Sequence, residues 1–214
     1  MEGALAELRY SPASRTKTPG TIIDKLRRET TRLTSIQDIA GSRIVPEVTL
    51  TGQDGVVDEV RARLGGIVHD RRESPRHGYR AVHIVVRSHG RRVEIQIRTP
   101  LQHLWAEVME RVGDRYGRGI RYGSLPAEPE RRDVVEGLIG MADEIAEHEK
   151  LRDGVLRLEQ EIAQSALDDD ALSQEDVALL KRHAELKDDL DADEISFRRA
   201  LRIILDALEE GEPP

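Results

Sequence analysis

The 214-residue chain contains no cysteine. Disulfides and thiolate metal sites are therefore excluded, and the composition is compatible with a reducing compartment. Aromatic residues are scarce: one Trp, one Phe and four Tyr, 3% of the chain. A core must then rest on Leu, Ile, Val and Ala. No apolar run approaches the ~20 residues needed to span a bilayer. The acidic first residues do not read as a secretory leader, so a soluble, cytoplasmic protein is expected. Two familiar phosphate-binding loops, Gly-x-x-x-x-Gly-Lys-Ser/Thr and Gly-x-Gly-x-x-Gly, are also missing.

Charge is abundant, 35% of residues, with a net of −8. That net hides an asymmetry. Residues 1–120 hold 21 Lys+Arg against 15 Asp+Glu, a net of +6, whereas residues 121–214 hold 12 against 26, a net of −14. A basic half suits polyanions, either nucleotide phosphates or nucleic acid. The acidic half reads as a solvated helical surface. The length allows one domain with a proper core plus a helical appendage.

Periodicity orders the chain. Residues 9–20, rich in Ser, Thr, Pro and Gly, predict an irregular entry. A helix then opens with Thr21 as N-cap and Asp24 at its third position. Gly41–Leu50 predicts a strand and Gln53–Leu64 a helix. Ala81–Arg87 and Arg92–Arg98 predict a hairpin across Ser88–Arg91. Within Arg92–Arg98 the apolar Val93, Ile95 and Ile97 share one face, and Glu94, Gln96 and Arg98 the other. Pro100 ends this strand before a helix over Leu101–Val112. Arg115–Pro129, with three glycines and two prolines, predicts a long loop and the boundary between residues 1–125 and 126–214. Beyond it, Arg131–Ala166 and Ser173–Glu209 predict a helical hairpin around Asp168–Asp170, packing on the domain or forming a homo-oligomer.

Four stretches carry residues suited to chemistry. Arg15-Thr-Lys17-Thr-Pro-Gly-Thr21-Ile-Ile-Asp-Lys25 sets cations and a hydroxyl around a helix N-terminus, a natural anion site. Asp38-Ile-Ala-Gly41-Ser-Arg43 puts a carboxylate before a strand, where it can hold a divalent cation. His77-Gly78-Tyr79-Arg80-Ala-Val-His83 offers a loop tyrosine for stacking on a base, an interaction of about 1–3 kcal/mol. Glu94-Ile-Gln96-Ile-Arg98-Thr99 lines an open sheet face, where Glu94 can share Mg²⁺ with Asp38. Each stretch alone also reads as ordinary structure: a capped basic helix, a turn aspartate, a packing tyrosine, a solvent-facing strand.

Taken together, in this order, the four stretches resemble the synthetase domain of the RelA/SpoT family over roughly residues 15–110. The resemblance implies an α+β fold, a mixed β-sheet with flanking helices like that of nucleotidyltransferases, here followed by the C-terminal helical hairpin. It implies a pyrophosphokinase that uses ATP and Mg²⁺ and transfers pyrophosphate to the 3′-hydroxyl of GDP or GTP, making (p)ppGpp. Arg15, Lys17, Thr21, Lys25 and Arg43 would then hold ATP. Asp38 and Glu94 would bind the metal, with Glu94 activating the acceptor hydroxyl. Tyr79 would stack on the acceptor base beside His83, and Gln96 and Arg98 would support Glu94 on the acceptor side. Guanosine-specific relatives carry a Lys-Asp-Tyr-Ile-like stretch and a Pro-Lys-x-Asn before Gly-Tyr; this chain instead reads Val68-His69-Asp70-Arg71-Arg72-Glu73-Ser74-Pro75-Arg76-His77. Arg71, Arg72 and Arg76 are the expected replacements on acceptor phosphates. The departure keeps open a toxin-like alternative acting on the tRNA 3′ end, with an antitoxin partner, and a non-catalytic nucleotide-binding module. His69-Asp70 resembles the metal dyad of the family's hydrolase domain, but its companion motifs are absent and hydrolysis is not expected.

Overall fold

The structure is a computed structural model that describes residues 10, 12–16, 20, 22–23, 26–27, 40–168 and 174–210. The chain divides into two compact units, Met1–His103 and Leu104–Pro214. The first holds a five-stranded sheet: β1 (Ala13–Thr16), β2 (Ala40–Ile44), β3 (Ile67–Asp70), β4 (Val82–Ser88) and β5 (Arg91–Ile97), with helix α1 (Leu50–Leu64) between β2 and β3. Strand order is β1-β2-β5-β4-β3. Only β2 and β5 run parallel; the other pairs are antiparallel. The expected α+β mixed sheet is what the structure shows.

Alternation explains the core. Val82, Ile84 and Val86 of β4 and Val93, Ile95 and Ile97 of β5 form one apolar cluster with Ile44 and with Val56, Val57 and Val60 of α1. The period of two sends the intervening residues to the opposite face. Helix α1 starts at Thr49, whose hydroxyl accepts from the Gly52 N–H at 3.3 Å. It stops at Gly65, which has φ +65° and donates its N–H to Arg61 O.

The β4–β5 turn is only two residues, His89 and Gly90, with φ of +49° and +74°. Positive φ at both positions matches the right-handed twist of a hairpin. The register then follows: Ser88 faces Arg91, Val85 faces Glu94 and His83 faces Gln96.

Some expectations on local structure are corrected. The strand expected over Gly41–Leu50 ends at Ile44: Pro46 has no N–H to donate to a ladder, and Leu50 already begins α1. The irregular entry contains β1, and the segment after α1 contains β3. Ile22–Ile23 and Leu26–Arg27 are helical as expected, whereas Gly20, expected in the irregular entry, is helical too, and the expected N-cap Thr21 lies outside the described residues.

Helix α2 (Pro100–Tyr116) begins with a reciprocal cap: Thr99 Oγ1 accepts from the Gln102 N–H, and Gln102 Oε1 accepts from the Thr99 N–H, both at 3.3 Å. Pro100 occupies the first helical position, which tolerates a missing donor. In the second unit a 3₁₀ turn (Arg118–Tyr122) interrupts the expected loop before α3 (Pro129–Asp168) and α4 (Gln174–Glu210). Val135, Leu138, Ala142 and Ile145 are buried, as their spacing predicts, and Trp105 donates its indole N–H to Leu138 O at 2.7 Å. The two long helices lie antiparallel, as expected: Arg152 pairs with Glu194 at 2.7 Å, Lys187 with Glu159 at 3.1 Å, and the His148 ring meets Phe197. No helix among the described residues is long and apolar enough to cross a membrane.

Candidate active site

The sheet face opposite α1 carries the polar rows. Paired residues share a face, so the register aligns Arg15, Gly41, Glu94, Val85 and Ile67 across all five strands. The neighbouring row is Ala13, Arg43, Gln96, His83 and His69. Gly41 of β2 pairs with Glu94 of β5. A Cβ at this position would lie 2.8 Å from the Glu94 carbonyl oxygen, which no side chain tolerates.

Five side chains close a hydrogen-bonded ring on this face. Tyr79 Oη lies 2.7 Å from His83 Nε2, and His83 Nδ1 lies 2.9 Å from Glu94 Oε1. Gln96 Nε2 donates to Glu94 Oε2 at 2.9 Å. Arg98 Nη2 donates to Gln96 Oε1 at 2.8 Å and to Tyr79 Oη at 3.0 Å. Strand geometry supplies three members, since Glu94, Gln96 and Arg98 are two residues apart and project to one side. Register supplies His83. A second tight turn supplies Tyr79: His77 and Gly78 have φ of +54° and +83°, and the Tyr79 N–H donates to Arg76 O at 3.1 Å. The Arg98 guanidinium sits 5.1 Å from the Tyr79 ring centroid, within cation–π range. Both oxygens of Glu94 are thus held, and the Tyr79 ring is fixed through its hydroxyl and one side.

Placement of the expected residues divides them. Tyr79, His83, Glu94, Gln96 and Arg98 come together. Arg43 is half-buried on β2, opposite Gln96, and Arg15 stands on β1 opposite Gly41. Lys17, Thr21, Lys25 and Asp38 lie outside the described residues. Arg76 is exposed; Arg71 is half-buried, with its N–H donating to Ala81 O at 2.9 Å.

Arg72 has structural partners. It grips both oxygens of Asp70 at 2.6–3.1 Å, Asp54 at 2.5 Å and the oxygen of buried Gln53 at 3.0 Å. Gln53 in turn donates to Ile97 O and Gln102 Oε1, so this cluster ties α1 to the end of β5 and the start of α2. Burial pushes the Asp70 carboxyl up, but the hydrogen bonds and charge of Arg72 outweigh it and hold the pKa below 3.8. Asp70 is therefore a partner of Arg72, and the His69-Asp70 pair offers no separate metal dyad. A depressed carboxylate pKa stabilises the fold above its unfolded value and ceases to do so as pH falls through the folded one. Asp70→Asn should destabilise the protein at neutral pH by about 1–3 kcal/mol. The gap from wild type should shrink as pH drops below about 3.8. Urea melts at several pH values measure it, and a pH-independent gap would contradict the linkage.

Sequence reading missed two features of this face. Gly41 acts by lacking a side chain. Arg87 and Arg92, both exposed, stand directly opposite each other on the Glu94 side of the sheet. Extending the alternation His83, Val85, Arg87 on β4 was the signal available for the last.

Among the described residues no group of three or more His, Asp or Glu is arranged to hold a metal ion. Glu94 nevertheless presents hard carboxylate oxygens on β5, where it pairs with Gly41 near the start of β2. Asp38 precedes that strand by two positions in the sequence. Oxygen donors of this kind, completed by substrate phosphates, are what Mg²⁺ takes.

Residues 14–116 match the family model described as the region found in RelA / SpoT proteins. Uncharacterized proteins of Mycobacterium tuberculosis and Mycobacterium bovis are 46% identical over 119 residues, 54% of this chain. The match spans 44% of each relative, less than half its length. The crystal structure of small alarmone synthetase 1 from Bacillus subtilis superposes with a TM-score of 0.54 at 24% identity, over 68% of this chain and 80% of that one. A GTP pyrophosphokinase family protein from Streptococcus pneumoniae gives 0.51 at 25% identity, over 69% and 77%. Residues 14–116 of this chain are thus similar to the region found in RelA / SpoT proteins.

Proposed function

We propose that the chain is a pyrophosphokinase that transfers the β,γ-pyrophosphoryl group of ATP to the 3′-hydroxyl of GDP or GTP, making (p)ppGpp. The observation that carries this reading is the hydrogen-bonded ring, which holds a carboxylate and a tyrosine ring on one sheet face within a stretch similar to the RelA / SpoT region. Arg98 lies against one side of Tyr79, and the acceptor base stacks on the other. Glu94 takes the proton of the acceptor hydroxyl as that oxygen bonds to the β-phosphorus and AMP departs. His83 and Gln96 keep the carboxylate oriented while it does so. Arg15, Lys17, Thr21, Lys25 and Arg43 bind the ATP phosphates and base. Asp38 and Glu94 would hold Mg²⁺, which would supply neutralisation of phosphate charge. Such a transfer depends mainly on positioning and charge, the two things this set of residues supplies.

A second reading has one observation in its favour. Arg87 and Arg92 are like charges directly opposite each other, an arrangement that destabilises a sheet and that a polyanion lying over it would relieve. This suits a tRNA 3′ CCA end as acceptor. The test is incubation with labelled ATP and Mg²⁺, offering GDP, GTP or deacylated tRNA in turn. Label in the guanosine nucleotide is expected. Label only in tRNA, with transfer falling steeply as salt rises, would replace the first reading by the second. ATP binding with no transfer to any acceptor would make the chain a nucleotide-binding module and overturn both.

A further inference from the structure

Of the chain's seven histidines only His148, in α3, is buried, at 5% exposure. Both of its ring nitrogens are buried, and neither has a hydrogen-bond partner among the described residues. A neutral imidazole has one donor and one acceptor to satisfy, and here both go unmet. The ring stands edge-on to Phe197 of α4, with centroids 5.6 Å apart and planes at 60°. His148 therefore sits in the contact between the two long helices. Ion pairs cross that contact beside it. Arg152, one turn further along α3, reaches Glu194 at 2.7 Å and Asp191 at 3.3 Å in α4. Glu194 also takes Arg198 at 2.6 Å, and Asp193 adds a further α4 charge that bears on the ring. On α3 itself, Glu144, one turn earlier, is exposed. Glu149 and Asp153 are buried but turn about 100° and 140° away from His148 round the helix.

We infer that His148 makes the α3–α4 contact a pH-sensitive clasp: the helices stay paired while the ring is neutral, and acid parts them by offering the exposed ring a proton. A proton taken up in place would create a buried cation, which is unfavourable unless it is well paired. Glu194, the carboxylate that attracts it most, already holds two guanidiniums, and Arg152 repels it. Burial outweighs the attraction of Glu194, Asp193 and Asp191 and pushes the imidazole below its ordinary value of 6.5. The sign follows from that direction. Between the folded value and 6.5 the unfolded chain holds the extra proton, so stability is whole above about 6.5 and declines as pH falls from there. Below the folded value both states are protonated and the decline stops. His183, the other histidine of the two helices, is only half-buried and can take a proton facing water.

Trp105, the chain's one tryptophan, lies in the same compact unit and donates to Leu138 O of α3, so its fluorescence reports unfolding there. Urea unfolding of the full chain, from about pH 7.5 to about pH 5, compares the wild type with His148→Gln and His148→Leu. Glutamine keeps buried polar atoms without a titration, and leucine removes both. The other six histidines are common to all three proteins, so the difference between curves isolates this one. Below about pH 6.5 the unfolding constant of the wild type should rise, relative to either variant, by up to about tenfold per pH unit, the limit for one proton. Above that pH the ratio should be flat. A second measurement needs no variant to fold. In an NMR titration of the wild type, the His148 ring, assigned through its backbone, should change charge below 6.5. Titration of that ring at or above 6.5 in the folded protein would overturn the proposal. So would wild type and both variants losing stability in parallel as the pH falls.

Discussion

Glu94→Gln should lower pyrophosphate transfer by about 10²–10⁴-fold, the range expected for loss of a general base, and leave the protein folded. The ring explains why the fold survives. An amide fits in one orientation, its oxygen toward the Gln96 NH₂ and its own NH₂ toward His83 Nδ1, the atoms that lie 2.9 Å away on either side in the wild type. His83 must then protonate at Nε2, facing Tyr79 Oη. The substitution is thus silent in shape, reverses one tautomer and removes the only group of the ring that can take up a proton as a carboxylate. Single-turnover transfer from labelled ATP, with the thermal midpoint measured beside it, tests this. A variant that keeps more than about a tenth of the wild-type rate would show that positioning alone drives the reaction and that Glu94 is no base. A collapsed fold would show that the amide orientation just described is not available.

How much of this was legible in the sequence depends on which force made each element. β5 was plain because Arg-Val-Glu-Ile-Gln-Ile-Arg alternates without a break, and burial of Val93, Ile95 and Ile97 leaves Glu94, Gln96 and Arg98 no other side to occupy. His83 opposite Gln96 was latent in the hairpin; recognising His89-Gly90 as a two-residue turn fixes every pair by counting back from it. β1 was not legible. Ala13–Thr16 has no apolar residue larger than alanine, and its strand character comes from the ladder with β2, a tertiary effect that outweighs local preference. β3 was hidden for a related reason: Ile67 is exposed and only Val68 packs against the core, so no run of apolar residues announces an edge strand. Arg72 marks a different limit. An arginine in a basic loop suits a phosphate as well as it suits Asp70 and Asp54, and only coordinates show that the carboxylates hold it. The Asp-x-Arg spacing was the one hint of that pairing.

Gly41→Ala should be costly out of proportion to one methyl group. Gly41 does not have the positive φ that reserves a position for glycine; what reserves it is the Glu94 carbonyl, 2.8 Å from where the Cβ would stand. That oxygen belongs to the backbone of a central strand and cannot swing aside. Relief comes only by moving β2 away from β5, at the pair that carries the proposed base. Overpacking of this kind typically destabilises by about 1–3 kcal/mol. A shift approaching 1 Å in a reacting group lowers turnover by up to about 10²-fold. Gly55 provides the contrast within the same unit. It lies exposed in α1, with nothing within 4 Å of the place a methyl would take. Gly55→Ala should therefore stabilise by about 0.5–1 kcal/mol through helix preference alone and leave transfer unchanged. Urea denaturation and single-turnover rates on the two variants separate the effects. If Gly41→Ala matched Gly55→Ala in both, the close approach of β2 to β5 would have no part in placing Glu94, and the ring would have to hold it unaided.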